Sequence, residues 1–303
     1  MSDLIDLVLS TDAAFARYEA VRPRLPAATF PKASQHGQSL ADVADGWDGF
    51  VLDAFGVLNV GDTPIPGAVA RMADLRRMGK RLCVLTNAAS YPRAEALAKY
   101  HRLGFDFTPD EVVSSRDIAA AALPRIADGA RWGAIAAAGD SFADIPAQIT
   151  DLADTADWSG IDAFLYLSTA RWTPALHARL LREMDRNPRP LLVANPDLVA
   201  PREGGLSIEP GFWAHDVADR TGATLHWCGK PFPDAHIEAA SRTGLPPHRL
   251  AMVGDTLHTD TLGGRASGMG TILITAHGLF AGRDTAPFIS ASGIIPDAIV
   301  TTT

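Results

Sequence analysis

Four short polar stretches in this 303-residue chain carry side chains able to do chemistry. Asp53 follows the apolar run Gly49-Phe50-Val51-Leu52, and Thr86-Asn87 follows Arg81-Leu82-Cys83-Val84-Leu85. Lys230 comes shortly after Thr224-Leu225-His226-Trp227, and Asp255 follows Leu250-Ala251-Met252-Val253-Gly254. Each run has the length and composition of a buried parallel strand, which puts each polar group at a strand's C-terminal end, where open α/β sheets bind ligands. If those strands are neighbours, one crevice holds a nucleophilic carboxylate, a hydroxyl with an amide, a fixed cation and a second carboxylate.

That inventory suits phosphoryl transfer, in which an oxygen nucleophile attacks in line and the equatorial oxygens of the transferring group need donors and cations. An aspartate nucleophile and an anionic phosphate repel each other. A hard divalent cation held by Asp53 and Asp255, with Lys230 assisting, offsets that repulsion; Mg2+ is the natural occupant because it favours oxygen ligands and keeps waters that Asp260 can orient. Taken singly, any of these residues has a bland alternative. An Asp at a strand end caps a helix or turn, and Thr86-Asn87 suits a turn. Asp260 can start the next helix, and a lone lysine is usually solvated surface.

The elements that must position these groups read as an α/β protein. Strand-like runs alternate with helical periodicity: a helix from about Pro66, with Val69, Met72, Leu75 and Met78 on one face, ends at Gly79; a second runs from near Pro92 to Leu103. Strands are expected at Trp132–Ala138, Ala163–Ser168 and Pro190–Ala194, a helix over Pro174–Arg186, another over Pro233–Thr243, and a last strand at Thr271–Ile274. The pattern predicts a Rossmann-like hydrolase core at residues 35–90 and 200–303, an inserted α/β cap at 91–199, and an N-terminal helical extension at 1–34, where Met1–Leu9 reads as the start of a surface helix.

Composition narrows the partners. With 47% hydrophobic and 20% charged residues the chain has the balance of a globular protein, and a net charge of −8 argues against nucleic acid or an anionic membrane as partner. The N-terminus lacks the basic residues of a secretory signal, and no apolar run approaches membrane-spanning length. Cys83 and Cys228 lie in apolar runs, as buried reduced thiols would, so the cytoplasm is the expected compartment. The expected partner is a small phosphorylated substrate; oligomeric state, including a homo-oligomer, stays open.

Asp53-Ala54-Phe55-Gly56-Val57-Leu58, Thr86-Asn87, Gly229-Lys230-Pro231 and Gly254-Asp255-Thr256-Leu257-His258-Thr259-Asp260 resemble, in order, the motifs of the haloacid dehalogenase superfamily. The insert between the second and third motifs is similar to the arrangement in its sugar-phosphatase and nitrophenyl-phosphatase branch, where Asn195-Pro196-Asp197 also resembles a turn near the cap boundary. The resemblance implies an aspartyl-phosphate on Asp53, a phosphoryl group held by Thr86 and Asn87, charge balance from Lys230, and magnesium on Asp53, Asp255 and the Phe55 carbonyl with Asp260 in support. It also implies a cap that reads the leaving group, with Asn195 and Asp197 as candidate substrate contacts.

One position departs from the family pattern. Its phosphatases carry a second aspartate two residues after the nucleophile as general acid and base, and this chain has Phe55 there. Loss of such a group costs about 10²–10⁴-fold in rate. This opens a second function class, a phosphate or metabolite binder with little turnover, and leaves His258 as a substitute acid, although a surface loop histidine is the commoner outcome. Asp-Ala-Phe-Gly is also similar to the start of the metal-free dehalogenases. Against that stand the short Asn59–Arg81 segment, with no room for their helical cap, and the acids Asp255 and Asp260, which metal-free chemistry would not use.

Overall fold

A computed structural model describes residues 10–202 and 205–303, so the expected helix start at Met1–Leu9 lies outside the described residues. The first described helix, α1 (Thr11–Val21), is capped by Ser10, whose hydroxyl accepts from the Ala13 amide at 3.2 Å. Strands β1 (Gln35–Ser39) and β2 (Gly49–Leu52) lead to a small ribbon of β3 (Asn59–Val60) and β4 (Thr63–Pro64). Then come α2 (Ala68–Arg77), β5 (Arg81–Thr86), α3 (Arg93–Arg102), β6 (Val112–Ser114) and α4 (Ser115–Ile126). The middle of the chain forms β7 (Arg131–Ile135), β8 (Gln148–Asp151), β9 (Ala163–Tyr166), α5 (Pro174–Arg186), β10 (Leu191–Val193) and the hairpin β11 (Val199–Arg202) with β12 (Gly205–Ile208). The rest is α6 (Pro210–Thr221), β13 (His226–Trp227), α7 (Pro233–Thr243), β14 (Leu250–Gly254), α8 (Leu262–Ala266), β15 (Gly270–Ile274), α9 (Ala286–Ser292) and β16 (Ala298–Thr302).

These strands build two parallel sheets. The larger has the order β1-β16-β15-β14-β2-β5-β6, and the smaller β13-β10-β9-β7-β8. The larger sheet is covered on both faces, as an all-parallel sheet must be. Phe50, Leu52, Val84 and Val253 pack with Met72 and Leu75 of α2 on one side, while Val51, Cys83, Leu85 and Met252 pack with Ala235 and Ala239 of α7 on the other. Cys83 and Cys228 are buried free thiols. No helix among the described residues is long and apolar enough to cross a membrane.

Sheet membership moves the boundaries drawn from sequence. Residues 91–115 fall in the expected cap range, yet β6 is the edge strand of the larger sheet; β13, in the expected core range, is the edge strand of the smaller one. The reason is nonlocal pairing. Val112 and Val113 look like any short apolar strand, and only their register against Val84 and Leu85 assigns them. A third hydrophobic cluster joins Ala14, Tyr18 and Val21 of α1 to Phe164 and Tyr166 of the smaller sheet and to Leu257 and Leu273 of the core, so α1 packs where the two layers meet.

Candidate active site

Strand β2 lies between β14 and β5, with Leu52 in register with both Val253 and Val84, so Asp53, Asp255 and Thr86 emerge side by side at the sheet's C-terminal edge. The Asp53 amide continues the ladder by donating to the Val253 carbonyl at 2.9 Å. Asp53 Oδ1 accepts from the Ala54 amide at 2.7 Å and from Lys230 Nζ at 2.6 Å. Asp255 Oδ2 accepts from the Leu279 amide at 2.6 Å, and its Oδ1 from Thr256 Oγ1 at 3.2 Å. Asp260 Oδ1 accepts from Lys230 Nζ at 2.8 Å, and Oδ2 from the Thr256 amide at 3.1 Å.

The backbone around Asp255 leaves no room for side chains. Gly56 and Gly278 both have left-handed backbone, φ 78° and 77°, and a Cβ would sit 2.6 Å from the Asp255 Cβ at the first and 1.9 Å from its Oδ2 at the second. Glycine supplies both the conformation and the clearance.

Carboxylate oxygens of Asp53, Asp255 and Asp260 come within 4.8 Å of one another. Burial raises the Asp255 pKa well above the carboxylate range, with the charges of Asp260 and Asp53 adding to it. Burial likewise lifts Asp260 to about 7, against the opposing pull of Lys230. For Lys230, burial favours the neutral amine, but Asp260, Asp53 and Asp197 outweigh it and hold the ammonium charged. Three clustered acids against one fixed cation leave negative charge to be neutralised, and hard oxygen ligands at this spacing fit a divalent cation. The amides of Val57, Leu58 and Asn59 turn back on the Ala54 carbonyl rather than on that of Phe55.

Lys230 arrives differently from the way its sequence position suggested. The strand before it, β13, belongs to the smaller sheet, so the lysine is carried across from the cap side by the turn at Gly229. Asn87 fixes it there. The Asn87 Oδ1 accepts from the Lys230 amide at 2.7 Å, while Nδ2 donates to the Lys230 carbonyl at 2.9 Å and to Asp197 Oδ1 at 2.8 Å. The Asn87 side chain, expected on a phosphoryl group, is therefore engaged by protein. Thr86 Oγ1 accepts from the Ala88 amide at 3.1 Å, and its hydroxyl also meets the buried Tyr100 phenol.

Asp53, Thr86, Asn87 and Asp255 line a cavity of about 240 Å³ together with Phe55, Tyr91, Lys99, Asn195, Asp197, Arg202 and Glu209. Asn195 organises the turn above it: Oδ1 accepts from the Asp197 amide at 3.0 Å and Nδ2 donates to Glu209 Oε2 at 3.1 Å. Lys99 and Arg202, which sequence reasoning missed, flank the Phe55 ring, with Nζ 5.0 Å and Cζ 5.1 Å from its centroid. Neither belongs to a short motif. The one sequence signal near Arg202 is the turn composition Glu203-Gly204-Gly205, which marks a hairpin but not its destination.

His258 is not in the cavity and is not a surface loop histidine. It is buried against α1, bonded through Nε2 to Glu19 and stacked on Tyr18 at 5.0 Å, and burial lowers its pKa to about 4. That removes it as the replacement acid.

A haloacid dehalogenase-like hydrolase family model matches residues 50–143, and a second HAD-like hydrolase model matches residues 227–299. The chain is 32% identical over 290 residues to a glycerol-3-phosphate phosphatase of Gallus gallus, covering 87% of this chain and 92% of that one. A solved structure described as a possible sugar phosphatase of the HAD superfamily, from Cytophaga hutchinsonii, shares the fold with a TM-score of 0.79 at 24% identity, over 89% of this chain and 98% of that one. The glycerol phosphate phosphatase of Mycobacterium tuberculosis, solved in complex with magnesium, aligns with a TM-score of 0.62 and 26% identity over 78% of this chain and 69% of that one.

Proposed function

We start from the chain's membership of the haloacid dehalogenase-like hydrolases, as a phosphoric monoester hydrolase of their sugar-phosphatase branch, and propose that it is magnesium-dependent, cleaving a small phosphorylated metabolite through phosphorylation of Asp53. The observation that carries this is Asp53 beside Asp255 and Asp260, with Lys230 bridging two of the three acids.

Asp53 is held for attack. Its Oδ1 is fixed by the Ala54 amide and Lys230, and Oδ2 is left to approach phosphorus in line with the departing ester oxygen. As that bond breaks, Lys230 Nζ and Thr86 Oγ1 supply charge and a proton donor to the equatorial oxygens. Asn87 contributes by locking the Lys230 backbone. A magnesium ion held by Asp53, Asp255 and the Phe55 carbonyl, with Asp260 orienting its waters, would neutralise the charge shared by nucleophile and phosphate. The named substrate of the Gallus gallus relative makes a glycerol phosphate or similar polyol phosphate the first to try. Only the small β3–β4 ribbon lies between Asp53 and α2, with no helical cap there, and the acid cluster speaks against metal-free dehalogenation.

Phe55 favours one further reading, a pocket that binds phosphate esters but turns over slowly. A phosphate-release screen across polyol, sugar and aryl phosphates, with and without magnesium, separates the two. Release that requires magnesium and disappears in Asp53→Asn supports the phosphatase. Binding of inorganic phosphate with no release from any ester would leave the binder.

A further inference from the structure

With Phe55 at the usual acid position, the cavity lacks a proton donor on that turn, and a different carboxyl faces the same space. We propose, resting on the phosphatase reading above, that Asp197 of the cap-side turn is the general acid and base that Phe55 cannot be. It lines the cavity that holds Asp53, Thr86 and Asn87. It follows β10 of the smaller sheet, whereas the nucleophile follows β2 of the larger one, so the two carboxyls reach the cavity from different layers.

The hydrogen bonds around Asp197 suit the protonated acid. Asn87 Nδ2 donates to Oδ1 at 2.8 Å, which marks Oδ1 as the carbonyl oxygen. Among the described residues no group is bonded to Oδ2, which is left as the proton bearer. The turn is rigid: the Asp197 carbonyl accepts from the Gly211 amide at 3.0 Å and the Asp197 amide donates to Asn195 Oδ1 at 3.0 Å. The other cap-side carboxylate in the cavity, Glu209, is already taken by Arg202 at 2.9 Å, Ser207 at 2.6 Å and Asn195 at 3.1 Å.

The groups facing Asp197 are Asp53 and Asp260 from the core, Lys230 and Asn87, and Tyr18 from α1. Burial raises its pKa to about 8; Lys230 and the Asn87 hydrogen bond pull the other way, and Asp53 and Asp260 push further up. A carboxyl of this kind carries its proton at neutral pH, as a donor to a leaving oxygen must.

The chemistry balances over two steps. Asp53 Oδ2 forms a bond to phosphorus as the ester P–O bond breaks, and the leaving oxygen takes the proton from Asp197 Oδ2 to depart as an alcohol. The Asp197 carboxylate then takes a proton from the water that attacks the phosphorylated aspartate. The Asp53–phosphorus bond breaks, inorganic phosphate leaves, and both side chains return to their starting states.

The test compares glycerol 3-phosphate with p-nitrophenyl phosphate in wild type, Asp197→Asn and the double variant Asp197→Asn/Phe55→Asp, with folding checked by circular dichroism. Asparagine keeps an oxygen for Asn87 to bond and removes only the transferable proton. Asp197→Asn is expected to lose about 10²–10⁴-fold on glycerol 3-phosphate, to keep a nitrophenolate burst near one equivalent, and to turn over slowly after it. Restoring a carboxyl at Phe55→Asp should recover much of the alkyl rate. Wild type alone gives an independent check, because kcat/KM for the alkyl ester should fall above pH about 8, while cleavage of the aryl ester in the burst should not.

An unchanged alkyl rate in folded Asp197→Asn overturns the proposal. So does equal loss of burst and alkyl cleavage without rescue, the mark of a residue that only holds Asn87 and Lys230. If Asp197→Asn does not fold, the wild-type profile decides, and the lack of a basic limb specific to the alkyl ester overturns it. A wild type that releases phosphate from no ester, with no phosphorylated Asp53, would instead remove the phosphatase reading beneath it.

Discussion

The floor of the cavity and its cap-side wall are built on different principles. Asp53 and Asp255 on the floor extend directly from adjacent parallel strands, Asp260 lies one turn further along, and their backbones are fixed by ladder hydrogen bonds and two close glycines. The wall is assembled from a turn (Asn195, Asp197), a hairpin (Arg202) and the N-cap of α6 (Glu209), with Arg202 paired to Glu209. Chemistry common to every phosphate ester can be set by a rigid sheet edge, whereas recognition of what the phosphate is attached to is left to segments that vary freely.

That contrast is breakable, and its largest expected effect falls on the floor. Asp53→Asn should cut phosphate release by at least about 10⁴-fold with the fold intact, because the amide keeps the shape and loses the nucleophile. Comparable release from a pure, folded variant would move the nucleophile elsewhere. Lys230→Met should cost about 3–5 kcal/mol of stability without metal, since it leaves Asp53, Asp260 and Asp197 crowded without their buried cation. Magnesium should return part of the loss. Chemical denaturation with and without the metal reads both, and an unchanged midpoint would show that the acids do not depend on this lysine.

Acid extends the comparison to the two layers behind the cavity, because both hold buried neutral histidines. Burial lowers His215 on α6, stacked against Trp227 of the cap sheet, to about 3, and His236 on α7 under the core to about 4. A histidine whose folded pKa lies below its unfolded value contributes stability that is present above pH ~6.5 and fades as pH falls toward the folded value. Each should cost about 2 kcal/mol by pH ~5. Stability that stays flat over that window would contradict their burial as neutral groups. The smallest effect belongs to the wall: Arg202→Ala, removing a half-exposed cation from beside Phe55, should change kcat/KM by about 1 kcal/mol, roughly fivefold, through KM. A collapse of kcat instead would make Arg202 part of the chemistry.

The same division explains what could be read from sequence. The strands bearing Asp53, Thr86 and Asp255 are short continuous apolar runs, and helices α5 and α7 have proline at their first turns, so local pattern was enough. Strand β1, Gln35–Ser39, was invisible because its exposed edge position leaves it polar. The placement of β6 and β13 depended on pairing partners far away in the chain. His258 shows the limit most clearly. Its position between two acids suggested chemistry, and only the packing of α1, from more than two hundred residues earlier, makes it a buried structural residue bonded to Glu19.

The central claim is that the Asp53 carboxylate carries the phosphoryl group. Wild-type protein mixed with p-nitrophenyl phosphate and magnesium, quenched in acid within milliseconds and digested, should yield a phosphorylated peptide containing Asp53, and the mark should be missing in Asp53→Asn and when the metal is chelated. Phosphate release proceeding at full rate with no such peptide at any quench time, or with the mark on another residue, would contradict the account.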